Sequence, residues 1–245
     1  MAKTLEEWIA TDVAALTSLE QNRKLYEEYF FRDPMRVMYV DSSYFFSPAD
    51  GVIIYQTRVT ADGPLIDIKG VSYSLRDAMR SPDLTGEWLV IGIFMTQYDV
   101  HVNRVPYSGI LSYRSLPSLE THNSPMLGVE TALLEGAIPW TQEAQYLHNN
   151  QRMINRIYSP GLQLTYYVLQ IADYDVDDIT PFETSQNSVV EQNERFSQIR
   201  CGSQVDLILP LSDRFTFETL QKVGTHVEGG VDRLVKILPV DSAIQ

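Results

Sequence analysis

The sequence predicts a β-rich α+β fold, and three observations predict it. Fourteen tyrosines and nine phenylalanines in 245 residues favour pleated, half-buried surfaces. Beyond residue 34, apolar and β-branched runs alternate with Gly, Pro and Asp-Gly punctuation. Sustained helical spacing is confined to the N-terminal stretch.

In 5–30, "LEEWIATDVAALTSLEQNRKLYEEYF", Leu5, Trp8, Ile9, Val13 and Leu16 recur at helical intervals opposite an acidic face. An acidic face suits packing against protein better than lying on an anionic membrane. Pro34 in "FFRDPMR" then stops the helix. "GVIIYQTRVTADGPLIDIKGVSYSL" reads as strands joined by an Asp62-Gly63 turn. Residues 75–87 suit a short helix and a loop. "EWLVIGIFM" is apolar throughout its centre and reads as a central strand.

The stretch 112–150 carries Pro117, Pro125 and Pro139 and suits a long loop with short elements. "LQLTYYVLQIADY" returns to β. "DYDVDDIT" reads as an acidic turn and "PFETSQNSVVEQNERF" as a polar connection. From Val205 to the C-terminus the pattern is strands and turns, with Gly224 and Gly229-Gly230 as turning points. There is no tandem repeat.

Charge and cysteine content narrow the function classes. The formal net charge is −13, which argues against a nucleic-acid partner and gives no pull toward anionic lipid. Cys201 is the single cysteine, so no intrachain disulfide forms, and it reads as a small buried residue. The start, "MAKTLEEWIATDV", lacks a signal-peptide apolar stretch, and no run of about 18 apolar residues occurs. The expected location is cytoplasmic, with at most peripheral membrane contact. His122, His148 and His226 have no short metal-ligand spacing, so no metal is expected.

Four segments cluster polar groups beside strand or turn signals: "FFSPADG", "YDVHVNRVPYSG", "LHNNQR" and "IRCGSQVDLILP". Pro48 and Gly51 bracket Asp50 on a turn, where its carboxylate could serve an Asx-turn or orient a histidine. His101 could be a hydrogen-bonded structural histidine or a proton-transfer group. Arg104 could be a surface charge or a bidentate anion ligand. Gly202 before "SQVDLILP" could mark a tight turn, or the Gly202–Ser203 bond could itself be a reaction site.

Taken together, "FFRDPMR", "SPADG", "YDVHVNRVPYSG", "NNQR" and "CGSQVDLILP" resemble the phosphatidylserine decarboxylase family of pyruvoyl-dependent enzymes in their order and spacing. The resemblance runs from about residue 28 to 240. It implies an N-terminal helical segment, 1–33, and a decarboxylase-like domain, 34–245, with a β core and a hammerhead-like C-terminal hairpin. The Glu228-Gly229-Gly230 turn has no lysine, so that hairpin is not expected to carry a prosthetic group.

The resemblance also implies a mechanism. The chain would be a proenzyme, or zymogen, that cuts itself between 202 and 203. Ser203 would attack the Gly202 carbonyl, and β-elimination would release chain 1–202 from chain 203–245. The serine remnant would become a covalent pyruvoyl cofactor, which forms a Schiff base with the substrate amine and accepts electrons as carbon dioxide leaves. Asp50 matches the aspartate that works with a histidine on the serine, and His101 matches the proton-transfer histidine of processing or decarboxylation. Asn103, Arg104 and Arg152 are implied as substrate-binding. The implied substrate is phosphatidylserine, giving phosphatidylethanolamine. The family leaves room for a homodimer.

The chain departs from the family pattern at several points. Arg104 stands where some branches have a second histidine. Gln151 replaces a glutamate, Asp177 and Asp178 occupy a region that often holds paired arginines, and Gln204 replaces an arginine. The segment before the processing site reads "NERFS", with Asn193, Arg195 and Ser197, instead of a glycine-rich form. These changes remove positive charge from a site expected to meet an anionic head group. Decarboxylation of a soluble small or aromatic L-amino acid is therefore an alternative, and a non-catalytic binding relative is another.

Overall fold

The computed structural model describes residues 1–16, 29–68, 71–138, 144–174, 179–200 and 202–240. Its organising element is the apolar segment that the sequence marks as central. Glu87–Met95 is a strand in which every residue but Glu87 is buried. It pairs antiparallel with Gly51–Thr60 on one side and with Ser203–Pro210 on the other. Six further strands complete a nine-stranded antiparallel sheet. The order across it is 3–4, 225–227, 51–60, 87–95, 203–210, 164–172, 152–159, 109–116 and 188–190.

Period-two alternation divides the side chains between two cores. Trp88, Val90, Phe94 and Ile208 face the first, with Trp8, Tyr73, Met126 and Leu147 from the helices and the 64–74 hairpin. Leu89, Ile91, Ile93, Met95, Val205, Leu207 and Leu209 face the second. Two three-stranded sheets cover that face. One joins Ile179–Pro181, Arg195–Ile199 and Val102–Arg104. The other joins Phe215–Thr219, Arg233–Pro239 and Tyr44–Phe46. The expected C-terminal hairpin about Glu228-Gly229-Gly230 does not form as a pair: Thr225–Val227, before the turn, joins the large sheet beside Gly51–Thr60, and Arg233–Pro239, after it, joins the small one. The result is the β-rich α+β class that the sequence predicts.

The N-terminal helix begins at Leu5 behind a capping box, in which Thr4 and Glu7 satisfy each other's backbone N–H. It continues as a π-helical stretch, Ile9–Val13, and a helical turn, Ala14–Leu16. The remainder of the predicted 5–30 helix falls largely on 17–28, outside the described residues. No helix among the described residues is long and apolar enough to cross a membrane.

Several polar-looking stretches are strands after all. The expected loop 112–150 begins with the end of a strand, Gly109–Leu116, before its two short helices. Arg152–Ser159 lies between two strands, and the polar connection contains Ser188–Val190. Sheet neighbours set these elements, not intrinsic preference. The acidic pair Asp177-Asp178 and Cys201 lie outside the described residues.

Two glycines let the central strands approach. Gly51 has φ 146°, and a Cβ there would stand 2.2 Å from the Phe94 carbonyl oxygen. "SPADG" therefore ends in glycine because the chain must enter the sheet against Phe94. At Gly92 the obstruction is a side chain: a Cβ would fall 2.4 Å from the Tyr55 ring. A β-bulge between Ile53 and Tyr55 accompanies that arrangement. Gly92→Ala should thus cost about 3 kcal/mol through overpacking, read by urea unfolding. A change below about 0.5 kcal/mol would show that Tyr55 does not occupy that space.

Candidate active site

Ser203 opens the middle strand of the sheet and is wholly buried. Its backbone lies opposite Met95 on one neighbour and Ala172 on the other. Its hydroxyl donates to the Met95 thioether at 3.3 Å, a weak acceptor. The same sulfur accepts from Asn103 Nδ2 at 3.6 Å. Asn103 Oδ1 accepts from Gln170 at 2.6 Å, and Gln170 accepts from Asn155 at 2.8 Å. The structure thus brings Ser203 and Asn103 together around one methionine, at the end of a buried amide chain.

Gly202 lies in a bend without adopting the left-handed conformation. Space around it is limited on one side. A Cβ would lie 3.0 Å from Asp173 Oδ2, tighter than ordinary contact.

His101 is wholly buried. Its Nδ1 lies 3.0 Å from the Asp99 carbonyl oxygen. A carbonyl can only accept, so Nδ1 carries the proton and Nε2 carries the lone pair. Nε2 has no hydrogen-bond partner among the described residues. Burial, partly offset by Asp99, lowers the imidazole pKa to about 4. The ring is therefore a neutral base at neutral pH. It packs on Phe30 at 4.2 Å, and its backbone oxygen accepts from Ile199 N at 3.1 Å. That contact sets His101 beside the segment leading to Gly202. No hydrogen bond joins His101 to Ser203 among the described residues.

Asp50 meets an arginine, not a histidine. Its two oxygens accept from Arg36 at 2.6 Å each, with Gly229 N at 2.8 Å and Val100 N at 3.4 Å. It ties the 229 turn to the backbone next to His101. Arg104 is buried in the Val102–Arg104 strand, where burial lowers its pKa. It donates to Asn193 O at 3.0 Å and Asp33 at 3.4 Å and lines an open groove of about 470 Å³ with Met38 and Arg195. Arg152 donates to the oxygens of Asn150, Ala78 and Leu147 and to the Tyr73 hydroxyl. Those contacts use four of its five donors inside the protein. Gln151 is buried beside it, its N–H donating to Asn123 at 2.8 Å.

Two groups were not singled out by the sequence. The first is an ion pair: His226 Nε2 lies 2.6 Å from Asp99 Oδ1. Burial works against both charges, but their attraction prevails. The His226 pKa is raised and that of Asp99 is lowered. The second is a network on the far face of the Ser203 strand. Asp206 accepts from Tyr55 at 2.6 Å and from Gln204 at 2.7 Å, and Tyr146 donates to Gln204 at 2.6 Å. Burial raises the Asp206 pKa to about 6, above the lowering effect of those bonds. Alternation in "SQVDLILP" gives no hint of this burial, because an aspartate at every second position normally faces water.

A cavity of about 290 Å³ adjoins these groups, lined in part by Arg32, Arg36, Asp50, Asp99 and His226. A more apolar cleft of about 380 Å³, between Val40, Ile110 and Val189, shares none of them.

The family model of phosphatidylserine decarboxylase matches residues 27–233. A protein from Methanothermobacter thermautotrophicus, assigned as an archaetidylserine decarboxylase proenzyme, is 29% identical over 210 residues. That alignment covers 86% of this chain and 80% of the relative. The phosphatidylserine decarboxylase proenzyme of Pelagibacter ubique is 30% identical over 209 residues, covering 85% and 78%. That of Carboxydothermus hydrogenoformans is 26% identical over 219 residues, covering 87% and 80%. The fold is a large antiparallel sheet whose middle strand begins at Ser203, and the matches make the protein a member of a decarboxylase family. The chain belongs to the phosphatidylserine decarboxylase family.

The depressed His101 pKa has a measurable consequence. Between the ordinary value of 6.5 and the folded value of about 4, the unfolded chain holds a proton that the native chain does not. Stability present above 6.5 is therefore lost as pH falls through that window, by about 3 kcal/mol. His101→Gln should remove this loss. Urea unfolding near pH 7 and near pH 4 should show wild type losing about 3 kcal/mol relative to the variant. Asp206 titrates in both proteins and cancels in the difference. Parallel pH curves would contradict a buried neutral imidazole.

Proposed function

We propose that the chain is a self-processing, pyruvoyl-dependent decarboxylase of serine-headed phospholipids. The observation that carries this reading is the setting of Gly202–Ser203. A family-matched Gly-Ser pair stands at the mouth of the central strand, with Ser203 fixed by ladders on both sides and a neutral histidine nearby. Those ladders hold residue 203 while the chain before it is a bend, so the bond at the junction can change geometry without breaking the sheet.

Processing begins with Ser203 Oγ adding to the Gly202 carbonyl carbon. The peptide C–N bond breaks as the ester C–O bond forms, and the proton passes from oxygen to nitrogen. Loss of the Ser203 α-proton then expels the Gly202 carboxylate and leaves a dehydroalanine. Its enamine form tautomerises, and water replaces nitrogen, releasing ammonia. His101 Nε2 is the candidate proton acceptor, since it is neutral, unpaired and oriented by the Asp99 carbonyl. Asp50 orients that segment from the other side through Val100 N and keeps Arg36 beside it. Ser203 has to leave Met95, and a thioether bond is easily surrendered.

The residues present suit a pyruvoyl group at 203. Ser203 is buried, residue 202 carries no side chain, and the Asn103 amide reaches the same methionine. Once formed, such a group supplies an electron-accepting carbonyl for loss of carbon dioxide. His101 then holds or returns the proton, Asn103 orients polar atoms at 203, and Arg104 offers a cationic edge to the phosphate. Arg152 remains in the proposed substrate set, but its donors are directed at the protein's own carbonyls.

The relatives are described by phosphatidylserine and archaetidylserine, lipids that share a serine head and differ in their tails. That shared head is the proposed recognition element. A soluble L-amino acid is the second reading, favoured by the net charge of −13. The purified protein should release carbon dioxide from vesicles containing phosphatidylserine, and Ser203→Ala should release none. Release from free serine, tyrosine or tryptophan but not from vesicles would transfer the assignment to the second reading. Release from neither, by folded protein, would favour a non-catalytic binding relative.

A further inference from the structure

His226 lies on the Thr225–Val227 strand, which pairs with Gly51 and Val52 beside Asp50, and it has no role in the proposed reaction so far. It is nonetheless connected to His101. Asp99 is the junction. One of its oxygens meets His226 Nε2 at 2.6 Å, and the other accepts from Thr96 N at 2.7 Å and Thr96 Oγ1 at 2.8 Å. Its backbone oxygen then meets His101 Nδ1 at 3.0 Å. The side chain of Asp99 thus closes the 96–99 turn, and its carbonyl sets the His101 tautomer. Asp99 is buried, so its carboxylate needs a full set of partners to stay where it is.

The other face of His226 is covered by Trp8. The rings stack with centroids 4.6 Å apart and planes 10° from parallel. Trp8 belongs to residues 1–16, which precede the family-matched region of 27–233. That segment docks here by pairing Lys3 with His226 and Thr4 with Thr225 and by a Leu5 N to Gly224 O bond of 3.0 Å. A chain segment outside the matched region therefore packs directly on the residue that holds Asp99.

We propose that His226 is a positioning residue for the reaction at Ser203: through Asp99 it fixes the 96–101 turn and the tautomer of His101, and the N-terminal segment acts on the same relay by stacking Trp8 on His226. This rests on the proton-transfer role proposed for His101. Asp50 and Glu228 also face His226, and Arg32 and Tyr29 face Asp99, so they share the local field.

The test has two arms. In the uncut Ser203→Ala protein, nitrogen-detected NMR of labelled imidazoles reads His101 without any need for activity. His101 should show a protonated Nδ1 and a bare Nε2. His226→Phe keeps a ring against Trp8 but loses the bond to Asp99, and it should shift His101 toward mixed tautomers. His226→Gln keeps a donor to Asp99 and should restore the original signature. In the processed protein, His226→Phe should lower kcat about tenfold or more with KM little changed, as expected from misplacing a reacting group. His226→Gln should recover most of that loss and be free of the alkaline fall that deprotonation of His226 imposes. An unchanged His101 spectrum in His226→Phe, or an alkaline limb retained in His226→Gln, would overturn the proposal. If His226→Phe does not fold, Trp8→Leu takes its place with the same two readouts. Failure of the decarboxylase reading would abolish wild-type turnover but leave the NMR arm to decide the relay.

Discussion

A strand held on both sides fixes residue 203 before any chemistry is considered. From Ser203 to Pro210 the chain is laddered to 87–95 and, over its first six residues, to 164–172. Its side chains are buried down to Leu209. A slip of one residue would exchange Ser203, Val205, Leu207 and Leu209 with Gln204, Asp206 and Ile208 between two different cores. The cost of that exchange pins the register, and the register places Ser203 against Met95. Both faces of the sheet are needed for this. The two small sheets bury the Ser203 side, and the helices with the 64–74 hairpin bury the other.

The polar groups inside are costly, and two sets of them are handled in different ways. Asp206 stands in an apolar core yet takes hydrogen bonds from Tyr55 and Gln204, which in turn is bound by Tyr146. A network of this kind penalises wrong registers more than it adds stability. On the site side the logic differs. His101 is left with an open nitrogen, Asp99 is pinned by Thr96 and His226, and Asp50 by Arg36 and two backbone N–H groups. These two carboxylates beside the histidine are tied down, while its Nε2 is unpaired among the described residues. Preorganisation of that sort places a base without asking it to move.

The sequence disclosed those parts that depend on local pattern. "EWLVIGIFM" is apolar at both parities and could only be a doubly covered strand. The Asp62-Gly63 turn reversed the chain where expected, whereas Gly51 and Gly202 were legible only as turn residues and not as the close approaches they make. The strands Arg152–Ser159 and Ser188–Val190 were not legible, because neither shows clean period-two alternation and their identity comes from neighbours far along the chain. The same distance in sequence hid the site's electrostatics. Arg36 and Asp50 are fourteen residues apart, and His226 and Asp99 are 127 apart. A histidine with no metal spacing gave no reason to look for a carboxylate, although the proximity of Asp99 to His101 in "YDVHVNR" was visible. Asp50 illustrates the limit. Its turn was predicted from Pro48 and Gly51, but its partner could not be, since an arginine on an irregular segment has no pattern to read.

The central claim is that the Gly202–Ser203 bond is a reaction site, and intact mass spectrometry of folded, purified protein addresses it most directly. The account predicts two chains, 1–202 ending in a free carboxylate and 203–245 beginning with a carbonyl group in place of its amine. A single mass equal to that of the uncut 245-residue chain, from protein shown to be folded, would contradict it.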